Sequence, residues 1–187
     1  RAQSEMSAIQ GFRDLVAPEL FVREQARGLQ TYAMMKAYDR AIELFDAIAD
    51  DFVRYVSDQS AHAIAFYTVG NCYFQLSRFC EAERCYQKGY AAAEKFPAML
   101  LECQIGLARV RHELSGRSSW SEVKQIEERF GRAARSRLSF VLLRAANYRH
   151  EGRIAKSKAE LRRGMGLFKT SPVILKQLSA EIEAMSV

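Results

Sequence analysis

The chain has 187 residues, 49% of them hydrophobic and 27% charged, and its 28 Lys and Arg outweigh 22 Asp and Glu to leave a net charge of +6. That length buries a real core, and the composition is ordinary for a globular protein. Three prolines, no alternating β-branched run and no apolar stretch near the roughly 20 residues that span a bilayer exclude a β-protein and a membrane helix.

The predicted elements are all helical. A leading helix is expected over residues 1–16, with Met6, Ile9, Phe12, Leu15 and Val16 on one face. Pro18 suits a first helical turn, where its missing N–H costs nothing. It opens a helix to about Met35, and a second runs from about Tyr38 to Val56. Between Ala63 and Pro97 two amphipathic helices meet at Leu76-Ser77-Arg78. Small residues there (Gly70, Ala82, Gly89) mark close helix approach, and large ones (Phe66, Tyr73, Phe79, Tyr86) fill the gap. The first pair repeats the second at an offset of 41 residues: Tyr32 answers to Tyr73, Tyr38 to Phe79, Ala41 to Ala82 and Phe45 to Tyr86. The departure is at the small position, where Gly28 falls one place early and Leu29 takes its slot.

A third pair follows. Its first helix, 98–114, carries Leu100, Leu101, Ile105 and Val110, and Ser115-Gly116-Arg117 makes the turn. Ser119-Trp120-Ser121-Glu122 reads as a capping box, and Trp120 stands where a small residue is expected, a ring that either widens the hairpin or fills a gap against the next one. A fourth pair spans 137–150 and 154–168 around Glu151-Gly152-Arg153. Ser171-Pro172 caps a last helix with Ile174, Leu175, Leu178 and Ile182, expected to cover the apolar end of the stack.

The 63–97 stretch resembles a tetratricopeptide repeat, a helix–turn–helix unit of about 34 residues, through Phe66, Val69, Gly70, Tyr73, Phe79, Ala82, Tyr86 and Gly89; the closing proline comes late, at Pro97. The resemblance, to a long-repeat variant, implies a right-handed α–α superhelix with flanking terminal helices. Residues 1–187 then form one domain, with repeats at about 18–57, 60–97, 98–131 and 137–169 and a closing helix at 172–186. It also implies a concave groove lined by the first helix of each repeat. The groove residues carried over are Gln30, Met34, Tyr67, Asn71, Phe74, Gln75, Arg109, His112 and Arg149. Amide and guanidinium groups among apolar ones suit an extended peptide or a helix. Asn71 and Arg109, in corresponding positions, match part of the family's carboxylate clamp, whose Lys residues are absent.

No catalytic set is legible. His62, His112 and His150 have no nucleophile elbow or H-E-x-x-H around them, Gly164-Met165-Gly166 lacks the flanks of a phosphate loop, and an enzyme is not expected. Cys72, Cys80, Cys85 and Cys103 form no C-x-x-C pair; they read as buried free thiols of a reducing, cytoplasmic compartment, with no metal or cofactor.

Charge gives a second lead. Residues 1–128 hold 15 basic and 18 acidic side chains, whereas 129–169 hold 12 and 2, a net of +10. Arg132, Arg135, Arg144, Arg153, Lys156, Arg162 and Arg163 form the candidate basic patch. A solvated face, an acidic surface of another subunit, an acidic partner segment and nucleic acid are the alternatives; no exposed aromatics stand ready for base stacking. The favoured function is a protein-interaction module binding a partner's peptide or helix, such as the sensing or dimerisation domain of a cytosolic regulator, or a chaperone. The alternative is a structural subunit of a larger assembly whose basic segment contacts RNA or an acidic protein. The chain reads as a fragment of a longer one, and a homo-oligomer is open.

Overall fold

The computed structural model describes residues 17–185, and the leading helix expected over 1–16 lies outside them. Among the described residues the chain is helical throughout, with ten helices and no strand. The described residues divide into two compact units that part between Leu100 and Leu101.

In the first unit, α1 (Pro18–Met34) pairs with α2 (Tyr38–Tyr55) and α3 (Gln59–Gln75) with α4 (Phe79–Ala92). Pro18 occupies the first helical turn of α1. Asp58 caps α3: its Oδ1 accepts from the Ser60 N–H at 2.8 Å, satisfying one free donor of the first turn. The core is aromatic. Phe45 stands 5.5 Å from Phe66 and 6.5 Å from Phe52 at steep angles, and Leu29 is fully buried. Gly70 lets α3 approach α4, since a Cβ there would stand 2.8 Å from ring carbons of the buried Tyr86.

The turn is the same in three of the four expected pairs. Tyr32, Tyr73 and Tyr148 each accept, through the backbone carbonyl, a bond from the N–H five residues on: Ala37 at 2.9 Å, Arg78 at 2.9 Å and Arg153 at 2.8 Å. A residue in the left-handed region precedes each donor: Lys36 (φ 59°), Ser77 (φ 58°) and Gly152 (φ 69°). This is the Schellman closure, which pairs otherwise orphaned carbonyls. Each donor residue then caps the next helix, its carbonyl accepting from Ala41, Ala82 or Ser157 at 3.0 Å. Tyr32 and Tyr73, aligned from the sequence, thus hold one structural role, and Tyr148 shares it.

The unit boundary falls within α5 (Pro97–Ser115). In the second unit α6 (Trp120–Phe130), the single turn α7 (Arg132–Arg135), α8 (Leu138–His150), α9 (Ile154–Leu167) and α10 (Pro172–Ala184) follow. Leu101, Ile105, Val123, Ile126, Phe140 and Leu143 form one cluster, with Trp120 and Phe130 packed against it. Val141, Ala145, Leu161 and Leu178 form another. Ile174, Ile182 and Met185 of the last helix cover this second cluster, the role expected of a closing helix.

The turn α7, between Gly131 and Ser136, has no counterpart in the sequence reading. The capping box is corrected too: Ser119 is the N-cap of α6, but its side chain makes no capping bond. Instead the buried Asn147 of α8 accepts from the Ser119 N–H and donates through Nδ2 to Ser119 Oγ at 3.0 Å and to the Leu143 carbonyl at 2.9 Å. Glu122 accepts from Ser121 Oγ at 2.6 Å rather than reaching back. Ser171 likewise precedes α10 without a side-chain cap. Of the two expectations for Trp120, the ring fills a gap: its centroid lies 4.7 Å from that of Tyr148.

Candidate functional site

Helices α1 and α3, the first members of two successive hairpins, line the same hollows. A 380 Å³ cavity is walled by Gln30, Ala33 and Met34 from α1 and by Thr68, Asn71, Cys72 and Gln75 from α3, with Tyr38 at its edge. A second, of 200 Å³, involves Arg23, Ala26, Arg27 and Gln30 of α1 with Ala61, Ile64 and Ala65 of α3, over Phe52 and beside Asp58. Gln30 belongs to both. Helical spacing explains the set, since Arg23, Ala26, Gln30 and Ala33 succeed one another every three or four residues along one face of α1.

The larger hollow has no formal charge on its walls. Gln30 and Gln75 are exposed amides, and Met34, 85% exposed, offers a bare thioether. Asn71 is held in place: its Oδ1 accepts from the Tyr86 hydroxyl at 2.8 Å, and Thr68 donates to the Ile64 carbonyl. Burial pushes the Tyr38 phenol up from its ordinary range and the Cys72 thiol to about 11, so both stay protonated at neutral pH. The hollow can therefore offer and accept hydrogen bonds and bury an apolar group, but it holds no nucleophile or general base poised near neutrality.

Of the groove residues expected in this unit, Gln30, Met34, Asn71 and Gln75 come together around this hollow. Tyr67 and Phe74 face elsewhere: Tyr67 lies 6.0 Å from Tyr86, and Phe74 lies 5.4 Å from Phe79 at an edge-on angle. Both rings join α3 to its own partner α4, where aromatic contacts strengthen the hairpin. The sequence did not single out Thr68 and Tyr38 as lining residues; for Thr68 its place three residues before Asn71 on one face of α3 was the available signal, whereas Tyr38 opens the next helix, α2.

The groove residues expected in the second unit are engaged within it. The His112 ring meets that of His150 edge-on at 5.5 Å. Arg149 reaches Glu181 at 3.4 Å, and Arg109 is half-buried with an interaction of its own.

The basic patch splits into two groups. Arg144 donates to Glu127 at 2.8 Å. Its Nε lies 3.3 Å from Glu160 without hydrogen-bond alignment, so that link is Coulombic. Arg135 adds to Glu127 at 3.4 Å. Arg163 forks onto the buried Glu160 at 2.6 and 3.2 Å and donates to the Arg135 carbonyl. Arg153 pairs with Glu151 at 3.1 Å and lies over the Tyr148 ring. These guanidiniums tie α6, α7, α8 and α9 together. Arg132, Lys156 and Arg162 are exposed, and no acidic partner lies within ion-pair distance of them among the described residues.

Comparison with known proteins adds no relative: no family model, no curated protein and no solved structure matches this chain. Among the described residues no His, Cys, Asp and Glu cluster is placed to hold a metal, and no helix is long and apolar enough to cross a membrane. The four cysteines are free, as read from their spacing, but Cys80 is exposed rather than buried. It sits in the first turn of α4 on the outer face, while burial pushes Cys85 to about 11 and Cys103 to about 12.

Proposed function

We propose that the chain is a non-enzymatic protein-interaction module that holds an extended peptide segment of a partner along α1 and α3. The observation that carries this reading is the pair of adjoining hollows sharing Gln30 between the first helices of successive hairpins. Amide side chains pair with both donors and acceptors of a peptide backbone, and the exposed Met34 gives an adaptable apolar contact for a side chain. The Tyr86–Asn71 bond fixes one of those amides before any partner arrives, which lowers the ordering cost of binding. The thrice-repeated turn supports reading the hairpins as tetratricopeptide-like units of a right-handed superhelix. A regulator's sensing domain or a chaperone, in the cytoplasm, is the setting such a module fits.

The test is a random peptide library displayed on phage and panned against the chain, with enriched peptides titrated by calorimetry. Gln30→Ala with Gln75→Ala removes two exposed amides and leaves the core intact. Each neutral hydrogen bond is worth about 1 kcal/mol, so the double variant loses roughly tenfold to thirtyfold in affinity. Peptides that bind wild type and variant equally, or no enrichment, defeat the reading.

A further inference from the structure

Helices α2 and α9 carry equal and opposite net charge. Residues 38–55 hold five acidic and two basic side chains, a net of −3, and residues 154–167 hold four basic and one acidic, a net of +3. On α2, Asp39, Glu43, Asp46 and Asp50 recur at spacings of four, three and four, so they line one exposed face. No basic partner lies within ion-pair distance of these four among the described residues. Val53, 62% exposed, ends the row. On α9, Lys156 and Arg163 lie seven residues apart on one exposed edge, and Leu167, 47% exposed, ends that row. Arg163 is fixed from beneath by Glu160, which occupies its Nε and Nη2 and leaves further N–H donors outward.

We infer that α2 of one molecule docks on α9 of a second copy of this chain, the two helices parallel, in a head-to-tail contact that is independent of the peptide groove. The register follows from the spacings. Glu43, Asp50 and Val53 are separated by seven and three residues; Lys156, Arg163 and Leu167 are separated by seven and four. At a rise of about 1.5 Å per residue the two ladders match to within about 1.5 Å, so two charge pairs and one apolar pair close together. A nucleic acid fits less well, because the basic edge ends on Leu167 and no exposed ring stands along it for base stacking. The contact joins two different surfaces, α2 on one copy and α9 on the other. Exposed ion pairs are individually weak and screened by salt, so the association is weak and strongly salt-dependent.

Sedimentation velocity of the purified, nucleic-acid-free chain tests this at about 50 mM and about 500 mM salt, where the screening length falls from about 14 Å to about 4 Å. Concentration-dependent species larger than a monomer are expected at low salt, with apparent affinity at least about tenfold weaker at high salt. One variant reverses the acidic row (Glu43→Lys, Asp46→Lys, Asp50→Lys) and another the basic one (Lys156→Glu, Arg163→Glu); circular dichroism confirms that each keeps its helices. Each variant alone is expected to sediment as a monomer. Mixing the two restores association, because the unaltered α2 of one now meets the unaltered α9 of the other. A monomeric wild type at low salt overturns the proposal, as do association that survives both reversals, failure of the mixture to recover, and assembly seen only when an oligonucleotide is added.

Discussion

In the first unit the helices meet through rings, with Phe45 against Phe52 and Phe66 across α2 and α3, and Tyr67 against Tyr86 across α3 and α4. In the second, two clusters that hold one fully buried ring, Phe140, among aliphatic side chains share the interior with Asn147, Ser157 and Glu160, all buried and all bonded. Ring packing is broad and tolerant of small shifts, whereas a buried polar network is directional and costly when one member is lost. The same hairpin closure therefore rests on two kinds of cohesion. The first leaves its amides at the surface around a hollow; the second spends its polar groups on itself.

The sharpest way to break that contrast is at the two asparagines. Asn147→Ala removes the group that satisfies the start of α6 and leaves the Ser119 N–H and hydroxyl without their partner, in the interior. The expected loss is about 3 kcal/mol. Asn71→Ala deletes one half-buried bond, to Tyr86, for about 1 kcal/mol. Trp120 is the sole tryptophan and lies in the second unit, so its fluorescence in urea reports that unit alone. A midpoint drop of about 1 to 2 M for Asn147→Ala is expected there, with little change in that signal for Asn71→Ala. Equal effects from both variants would erase the distinction.

Glycine contacts sharpen it at smaller scale. At Gly70 a methyl meets two carbons of the Tyr86 ring at 2.8 Å; at Gly164 it meets Val141 Cγ1 at 2.8 Å and Leu178 Cδ1 at 3.3 Å. Overpacking costs about 1 to 3 kcal/mol, and the helix preference of Ala returns up to about 1. The Tyr86 ring is fully buried and tethered through its hydroxyl, so it yields less than Val141. Thermal unfolding should show Gly70→Ala losing about 2 kcal/mol and Gly164→Ala about 1. Gly166→Ala, with nothing within 4 Å, is expected to be neutral or stabilising.

Local chemistry was legible in the sequence and distant pairing was not. Gly70 against Tyr86, and the pair Tyr32 and Tyr73 that closes the first two hairpins, follow from periodicity and a fixed offset. The left-handed turn was only half visible: Gly152 advertises it, but Lys36 and Ser77 adopt the same conformation with side chains that disfavour it by about 1 to 2 kcal/mol. Asn147 and Ser119 are 28 residues apart, and nothing near either marks the bond; the adjacent Glu122 pointed instead to a local cap. For the site, helical spacing brought Gln30, Met34, Asn71 and Gln75 to one hollow, while Tyr67 and Phe74, on the same helix, turn toward α4. An aromatic on a first helix satisfies a groove and a hairpin seam equally well in a linear reading. The basic stretch showed its charge but not its Glu127 and Glu160 counterweights, because Glu160 stands among cations in sequence and is distinguished only by burial.

The smallest effect separates the units by pH. His112 is half-buried, and that burial, with His150 and Arg149 nearby, holds its imidazole below the ordinary range, against Glu113 and the Arg117 backbone, which favour the charged form. Its Nδ1 has no hydrogen-bond partner, so a proton placed there would be buried unpaired. The folded chain therefore resists protonation that the unfolded chain accepts near pH 6.5. The unfolded state binds more protons below that point, and the stability this group contributes is present above about pH 6.5 and lost as pH falls through the folded value. Urea midpoints read from Trp120 should decline between about pH 7.5 and about pH 5.5, and His112→Gln should flatten that decline while leaving the carboxylate-driven loss at lower pH. An unchanged slope in the variant would assign the decline to other groups and leave His112 as a ring that only packs.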